Sequence, residues 1–328
     1  MSHKAAFFRM ARWGEAGKNH LLASEKLKGA DVEPLFFDEI LSAETMPPDR
    51  GFEIAGVFMD SPVSAAVIDG LPDLKFITTL STGFDHIDLQ AAAAKGIPVS
   101  SVPAYGEVTV AEFAFALILA LSRKIPASRD RVRVEKKFTT DGLTGFDLAG
   151  KTLGVVGAGR IGKHAVTMGR GFGMNVIAFD VIHDDAFAAQ TGMSYVSLEE
   201  LLAKSDVITI HCPYMPSTHH LINANNIGLV KKGAYLVNTA RGAVVETPAL
   251  LGALKSGQLA GAGLDVIEGE EDMKKGNLGA LEEFLAMPNV IVTPHNAFNT
   301  NEAFVRILDT TIDNIVAYLQ GSPINVVK

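Results

Sequence analysis

Gly157-Ala-Gly159-Arg-Ile-Gly162 follows the apolar run Leu153–Val156 and opens a segment of helical periodicity. In that context Gly157 permits a tight turn, Gly159 lets backbone approach a pyrophosphate, and Gly162 lets a helix pack on a strand. The free N–H groups and partial positive charge of the helix start favour phosphate. Arg160 adds a cation there. The next apolar run ends in Asp180, and an acid about twenty residues on takes the ribose hydroxyls of NAD and repels a 2′-phosphate. His183-Asp184-Asp185 follows, with no arginine, so the pattern predicts NAD rather than NADP.

Three more segments at expected strand ends hold the residue types that hydride transfer to a 2-oxo acid requires. Ligands of open α/β sheets sit outside the carboxyl ends of the strands. Asn238-Thr-Ala-Arg241-Gly242 offers an arginine, which can fork onto a carboxylate and polarise a neighbouring carbonyl. The same residue is equally readable as a surface arginine. Asp265-Val-Ile-Glu268-Gly-Glu270-Glu-Asp offers carboxylates, or a solvated acidic loop. Thr293-Pro-His295 offers an acid–base group of the type that works near neutral pH. It is one of nine histidines, and His211 also follows a strand. Hydride arrival at a carbonyl carbon leaves an alkoxide that needs a proton and a positive neighbour.

The elements that would position these groups alternate along the chain. Strands are expected at Ala5–Met10, Val32–Phe37, Ile54–Phe58, Phe76–Leu80 and Pro98–Ser101, with helices at Asn19–Lys28, Val63–Asp69 and Leu89–Lys95. A second series has strands at Leu153–Val156, Asn175–Phe179, Val207–Ile210, Tyr235–Asn238, Gly261–Asp265 and Val290–Val292. Its helices are Ile161–Gly169, Leu198–Lys204 and Thr247–Ser256. Such alternation predicts parallel sheets with crossover helices. Val108–Arg123 is apolar around most of its circumference, which suits a core helix or a subunit interface. Thr300–Leu319 is a last helix expected to pack back on the first series.

Composition narrows the function classes. One cysteine, Cys212, excludes an internal disulfide and a cysteine-based zinc site, and no metal site is expected. It fits a reducing cytoplasm. A net charge of −8 argues against a nucleic-acid or anionic-membrane partner. No apolar stretch approaches the ~18 residues of a membrane span, and the N-terminus has no signal-peptide layout.

Together these segments resemble the NAD-dependent D-isomer-specific 2-hydroxyacid dehydrogenases across essentially the whole chain. The marks are Ser81-Thr-Gly-Phe-Asp-His-Ile-Asp88, Gly157–Gly162 with Asp180, Val237-Asn-Thr-Ala-Arg-Gly242, Gly263-Leu-Asp-Val266 and Thr293-Pro-His-Asn-Ala-Phe298. The resemblance implies an α/β protein of two doubly wound parallel-sheet domains with a cleft between them. Residues 1–102 and 299–328 would form a discontinuous flavodoxin-like substrate domain, and 103–298 a Rossmann NAD-binding domain. It implies Arg241, Glu270 and His295 as the catalytic trio. Arg241 would bind the substrate carboxylate and carbonyl oxygen, His295 would exchange the proton, and Glu270 would favour the imidazolium. Implied cofactor contacts are Gly157, Gly159, Arg160, Ile161, Gly162, Asp180, Cys212, Pro213, Thr218, Thr239, Ala240, Arg241 and Asp265. Cys212 would line the pocket and not act as a nucleophile. Backbone N–H groups at Thr82 and Gly83 would hold the substrate carboxylate, and a homodimer would form through the NAD-binding domain.

Within the family the resemblance is to the D-lactate dehydrogenase branch, through Phe298, Tyr105 and Phe37–Thr45. An aromatic wall at Phe298 suits the small apolar substituent of pyruvate. The branch often places a tyrosine after the third strand, where this chain reads Met59-Asp60-Ser61. That departure leaves room for larger or more polar 2-oxo acids, with Arg12 a candidate for a second anionic group. Glyoxylate or hydroxypyruvate reduction is the alternative. An NADH-sensing, corepressor-like scaffold is a third reading, disfavoured because such proteins carry partner-binding tails and almost no residues are expected outside the two units.

Overall fold

Short runs of apolar residues with no alternation are the signature of strands covered on both faces, and the structure places them at the centre of two parallel sheets. The structure is a computed structural model; it describes residues 2–270, 273 and 276–327. The chain divides into two units, residues 1–105 with 299–328, and residues 106–298.

The first unit contains β1 (His3–Phe7), β2 (Val32–Phe36), β3 (Ile54–Val57), β4 (Phe76–Thr79) and β5 (Val99–Ser100), in the order β2-β1-β3-β4-β5 and all parallel. This is the flavodoxin-like order. Pro34 is tolerated because β2 is an edge strand. The final helix, Asn301–Leu319, packs on this sheet. Asn314 Nδ2 donates to the Ser101 carbonyl at 2.9 Å, and Tyr318 stacks on Phe76 at 4.4 Å. The helix expected over 19–28 is two helices, Gly14–Ala23 and Glu25–Gly29. Ser24 breaks it, because its hydroxyl caps the second by accepting from the Leu27 N–H. Tyr105 belongs to this unit, where its carbonyl accepts from Arg306 Nε at 2.7 Å.

The second unit contains β6 (Thr152–Val156), β7 (Asn175–Phe179), β8 (Ser194–Tyr195), β9 (Val207–Ile210), β10 (Ala234–Asn238), β11 (Leu259–Leu264) and β12 (Val290–Val292). The order is β12-β11-β10-β9-β6-β7-β8, again all parallel. It contains the Rossmann order, extended by one strand. The helix Arg160–Gly171 buries Gly162, Ala165, Val166 and Gly169 against the sheet, a spacing that puts all four on one face. A Cβ at Gly169 would lie 2.6 Å from Leu153 Cδ2, so the small residue sets the helix-to-strand distance.

The apolar helix runs Glu107–Ser122 and is largely a core element of this unit. Leu117 lies over β11, where a Cβ on Gly263 would meet Leu117 Cβ at 3.0 Å. The helices Ile125–Arg133, Asp185–Thr191 and Ala280–Leu285 and the edge strand β8 carry no expectation from the sequence. Ile125–Arg133 buries no residue, so it has no apolar face to read.

Candidate active site

Because every strand of the second unit is parallel, the segments after β6, β7, β9, β10, β11 and β12 leave from one edge of the sheet. The order reverses between β6 and β9, which places a crevice at the segments following these two strands. Gly157 has φ +90°, and a Cβ there would lie 2.5 Å from the Cys212 nitrogen, so only glycine fits. A Cβ on Gly162 would meet the Gly157 carbonyl oxygen. At Gly159 the Cβ position has no atom within 4 Å, which leaves its face open to a pyrophosphate at the helix start.

Arg160 begins that helix and pairs with Glu107 at 3.5 Å; Ile161 is half-buried beside it. The Asp180 carboxylate accepts from the Ala158 N–H at 2.7 Å and the Ile182 N–H at 3.0 Å. It therefore braces the glycine turn from the end of β7. Val181 and Ile182 follow it and are 85% and 78% exposed, an apolar ledge suited to a planar base. Sequence reading passed over these two, although a pair of aliphatic residues directly after the acid that ends the strand is a visible signal. These features fit a dinucleotide.

After β9 the two neighbours differ from a reactive pair. Burial pushes the His211 imidazole down to about 4, and its Nε2 lies 2.9 Å from Thr209 Oγ1. Burial likewise pushes the Cys212 thiol up to about 11, so it stays a thiol at neutral pH. Thr218 Oγ1 donates to the Pro213 carbonyl at 2.7 Å and closes the loop that follows.

His211 gives a prediction on acid stability. Its folded pKa lies below the ordinary value near 6.5, so unfolded chains take up a proton that the folded protein refuses. Stability is then lost as pH falls from about 6.5 to about 4, by about 3 kcal/mol. His211→Asn is expected to flatten the fall in urea midpoint between pH 7 and 4.5; an unchanged slope would refute this.

The turn after β10 is closed by Asn238. Its Nδ2 donates to the Arg241 carbonyl at 2.9 Å, and its Oδ1 accepts from the Ala240 N–H at 3.0 Å. Asn238 thereby fixes Thr239, Ala240 and Arg241, a local side-chain turn of the kind asparagine favours. Among the described residues the buried Thr239 hydroxyl has no hydrogen-bond partner. A Cβ on Gly242 would lie 2.2 Å from the Ile267 carbonyl carbon, so the arginine segment sits directly on the segment after β11.

That segment begins with Asp265, which is 1% exposed. Its Oδ1 accepts from Thr293 Oγ1 at 2.5 Å and the Asn296 N–H at 3.0 Å, and its Oδ2 accepts from the Ala297 N–H at 2.8 Å. Its carbonyl takes the His295 N–H at 2.9 Å. Asp265 therefore directs both carboxylate oxygens into the histidine loop. His295 itself is held at φ +51°, an uncommon conformation that these bonds maintain.

His295 Nδ1 lies 2.8 Å from Glu270 Oε2, while Glu270 Oε1 accepts from the Ile267 N–H at 3.2 Å. Glu268 turns elsewhere. Its Oε1 lies 2.6 Å from His220 Nε2, and its Oε2 accepts from the Thr247 N–H at 2.8 Å. Burial would raise the Glu268 carboxyl, but the bonds from Thr247 and His220 outweigh it and hold it below the usual carboxylate range. Glu271 lies outside the described residues. The structure thus brings Glu270 to His295 and places Arg241 on a segment packed against theirs. Phe298, 4% exposed, ends this unit.

In the first unit, Ser81 Oγ donates to the Gly83 carbonyl at 2.7 Å and Thr82 Oγ1 to the Val102 carbonyl at 2.8 Å. Among the described residues neither the Thr82 nor the Gly83 N–H donates to the chain. The strand order of this unit reverses between β1 and β3. There Arg9 Nε donates to Asp60 Oδ2 at 2.9 Å, and the Arg12 guanidinium lies 4.8 Å from the centre of the Phe58 ring. Burial lowers the Arg12 pKa, opposed by Asp60; arginine stays charged all the same. Tyr105 is 8% exposed.

A family model, the NAD-binding domain of the D-isomer-specific 2-hydroxyacid dehydrogenases, matches residues 115–297. The D-lactate dehydrogenase of Escherichia coli is 36% identical over 307 residues, covering 91% of this chain and 92% of that protein. The glycerate dehydrogenase of Methylorubrum extorquens is 39% identical over 284 residues, covering 85% and 86%. The solved structure of the pyruvate reductase of Chlamydomonas reinhardtii superposes with a TM-score of 0.88 at 36% identity, covering 98% of each chain. The chain belongs to the D-isomer-specific 2-hydroxyacid dehydrogenase family. It is an oxidoreductase acting on the CH–OH group, and its cofactor is NAD.

Proposed function

We propose that the chain interconverts pyruvate and D-lactate with NAD. The observation that carries the reading is the 2.8 Å contact of Glu270 with His295, with Arg241 on the adjoining segment. The second unit is the NAD-binding domain, and residues 1–105 with 299–328 bind substrate. NAD, when bound, supplies or accepts the hydride. Gly157, Gly159, Arg160, Ile161 and Gly162 receive its pyrophosphate, and Asp180 its ribose. Val181 and Ile182 take the base. Cys212, Pro213, Thr218, Thr239, Ala240 and Asp265 complete its surroundings.

The Arg241 fork grips the substrate carboxylate and carbonyl oxygen. With Nδ1 engaged by Glu270, His295 donates from Nε2 to the carbonyl oxygen in reduction and takes that proton back in oxidation. Glu270 stabilises the imidazolium through a charge-assisted bond. Phe298 walls the pocket against the methyl group.

A second reading is favoured by the Arg9–Asp60 pair and Arg12 at the reversal point of the first sheet. Such polar groups suit a 2-oxo acid with a polar third carbon, such as hydroxypyruvate. The test is NADH oxidation with pyruvate, hydroxypyruvate, glyoxylate, phenylpyruvate and oxaloacetate, repeated with NADPH. The highest kcat/KM is expected for pyruvate with NADH. A preference for hydroxypyruvate selects the second reading, and no turnover with any 2-oxo acid rejects both.

The segment after the apolar helix leaves Ile125, Val132, Val134 and Phe138 exposed, the last at 98%. We propose that a second copy covers them in a homodimer, to be checked by sedimentation. A cytoplasmic location fits the lone cysteine; among the described residues no helix is long and apolar enough to cross a membrane.

A further inference from the structure

Three segments meet beside Glu270: 218–222, 241–244 and 267–270. The His220 N–H donates to the Ala243 carbonyl at 2.8 Å, and Gly242 packs on Ile267 and Glu268. One charged group joins all of this. Glu268 reaches His220 with one oxygen and the first turn of the helix Thr247–Lys255 with the other. The His220 ring is held on one face by His219, stacked at 3.9 Å, and its backbone sits at φ +48°. Glu268 and Glu270, two residues apart, are thereby turned to different partners. One grips the scaffold and the other faces His295.

We infer that Glu268, clamped by His220, is a positioning residue that holds the 267–270 segment so that Glu270 meets His295; this rests on the reading of Glu270 and His295 as the proton-exchanging pair. Without Glu268 the 267–270 segment keeps the Gly242 packing and the Glu270–Ile267 bond but loses its ties to His220 and Thr247, and a 1 Å displacement of a supporting group can cost about 10²-fold in rate. Glu268 touches none of the reacting atoms, so its loss acts through the placement of Glu270.

The experiment is a double-mutant cycle on the full-length protein with pyruvate and NADH, read as kcat and KM. Glu268→Ala is expected to lower kcat by about 10- to 100-fold with the KM for NADH changed by less than about twofold. Glu268→Ala combined with Glu270→Gln is expected to be no slower than Glu270→Gln alone, because the side chain at 270 then carries no charge to set against the imidazolium. Additive losses in the double variant, or a loss confined to the KM for NADH, would overturn the inference.

His220→Gln, which keeps the Thr247 contact of Glu268, is the second variant should Glu268→Ala fold poorly. A smaller fall in kcat, again absent on the Glu270→Gln background, supports the clamp, and wild-type kcat refutes it. If Glu270→Gln itself leaves kcat at the wild-type level, the proton-exchange reading fails and takes this inference with it. If Glu270→Gln is slow and Glu268→Ala is not, only the clamp fails.

Discussion

His295→Ala is expected to slow NADH-dependent reduction of pyruvate by about 10²- to 10⁴-fold, the usual worth of a positioned general acid. NADH affinity, measured by fluorescence titration, is expected to stay within about twofold, since the Gly157–Gly162 turn and Asp180 stand on other strands. The expectation rests on where the imidazole is held. Nδ1 is committed to Glu270 at 2.8 Å, and the backbone is pinned at φ +51° by the Asp265 carbonyl. A side chain restrained at both backbone and ring presents Nε2 in one direction, which is what proton transfer in a transition state demands. Among the described residues His211, the other histidine that follows a strand, has no such acid partner. Turnover within about threefold of wild type in His295→Ala would remove the histidine from the mechanism.

Arg241→Lys comes second in size, with an expected loss in kcat/KM of about 10²- to 10³-fold, comparable to removing one electrostatic donor from a developing oxyanion. Lysine keeps the charge but loses the planar fork, so it cannot serve a carboxylate and a carbonyl oxygen together. The loss should appear in both kcat and the KM for pyruvate, because the carboxylate is bound in the ground state and the oxygen gains charge only later. The Asn238 turn and the Gly242 contact are backbone features that lysine leaves intact. Wild-type values for both constants would argue that Arg241 is a surface arginine.

Much of this arrangement is legible in the residues. The parallel strands read as apolar runs, and Asn175–Phe179, Val207–Ile210 and Val290–Val292 have the expected ends; Val207–Ile210 is buried throughout, as a strand covered on both faces requires. The glycine turn is legible because Gly157 and Gly162 have no substitute in that backbone. The clamp of Glu268 by His220 is not, since the two lie 48 residues apart and meet only through crossover connections. Nor does the acidic run say which glutamate faces His295; the direction of each side chain follows from the course of the turn. The strand β8 is two residues long, too short for periodicity to register. Ile125–Arg133 has no buried face from which a period could be read.

The way Asp265 distributes its acceptors bears on how such a protein can change its diet. Among the described residues the carboxylate takes Thr293 Oγ1 and the N–H groups of Asn296 and Ala297, and its reach stops there. Residue 298 is the first position beyond the last of these anchors. On the proposed role of Phe298 as a pocket wall, its exchange alters the pocket and touches none of the groups that make these bonds. Selection for a new acid can work on one side of Asp265 while the proton chemistry is preserved on the other. A lineage could then explore substrates one side chain at a time without passing through a dead enzyme.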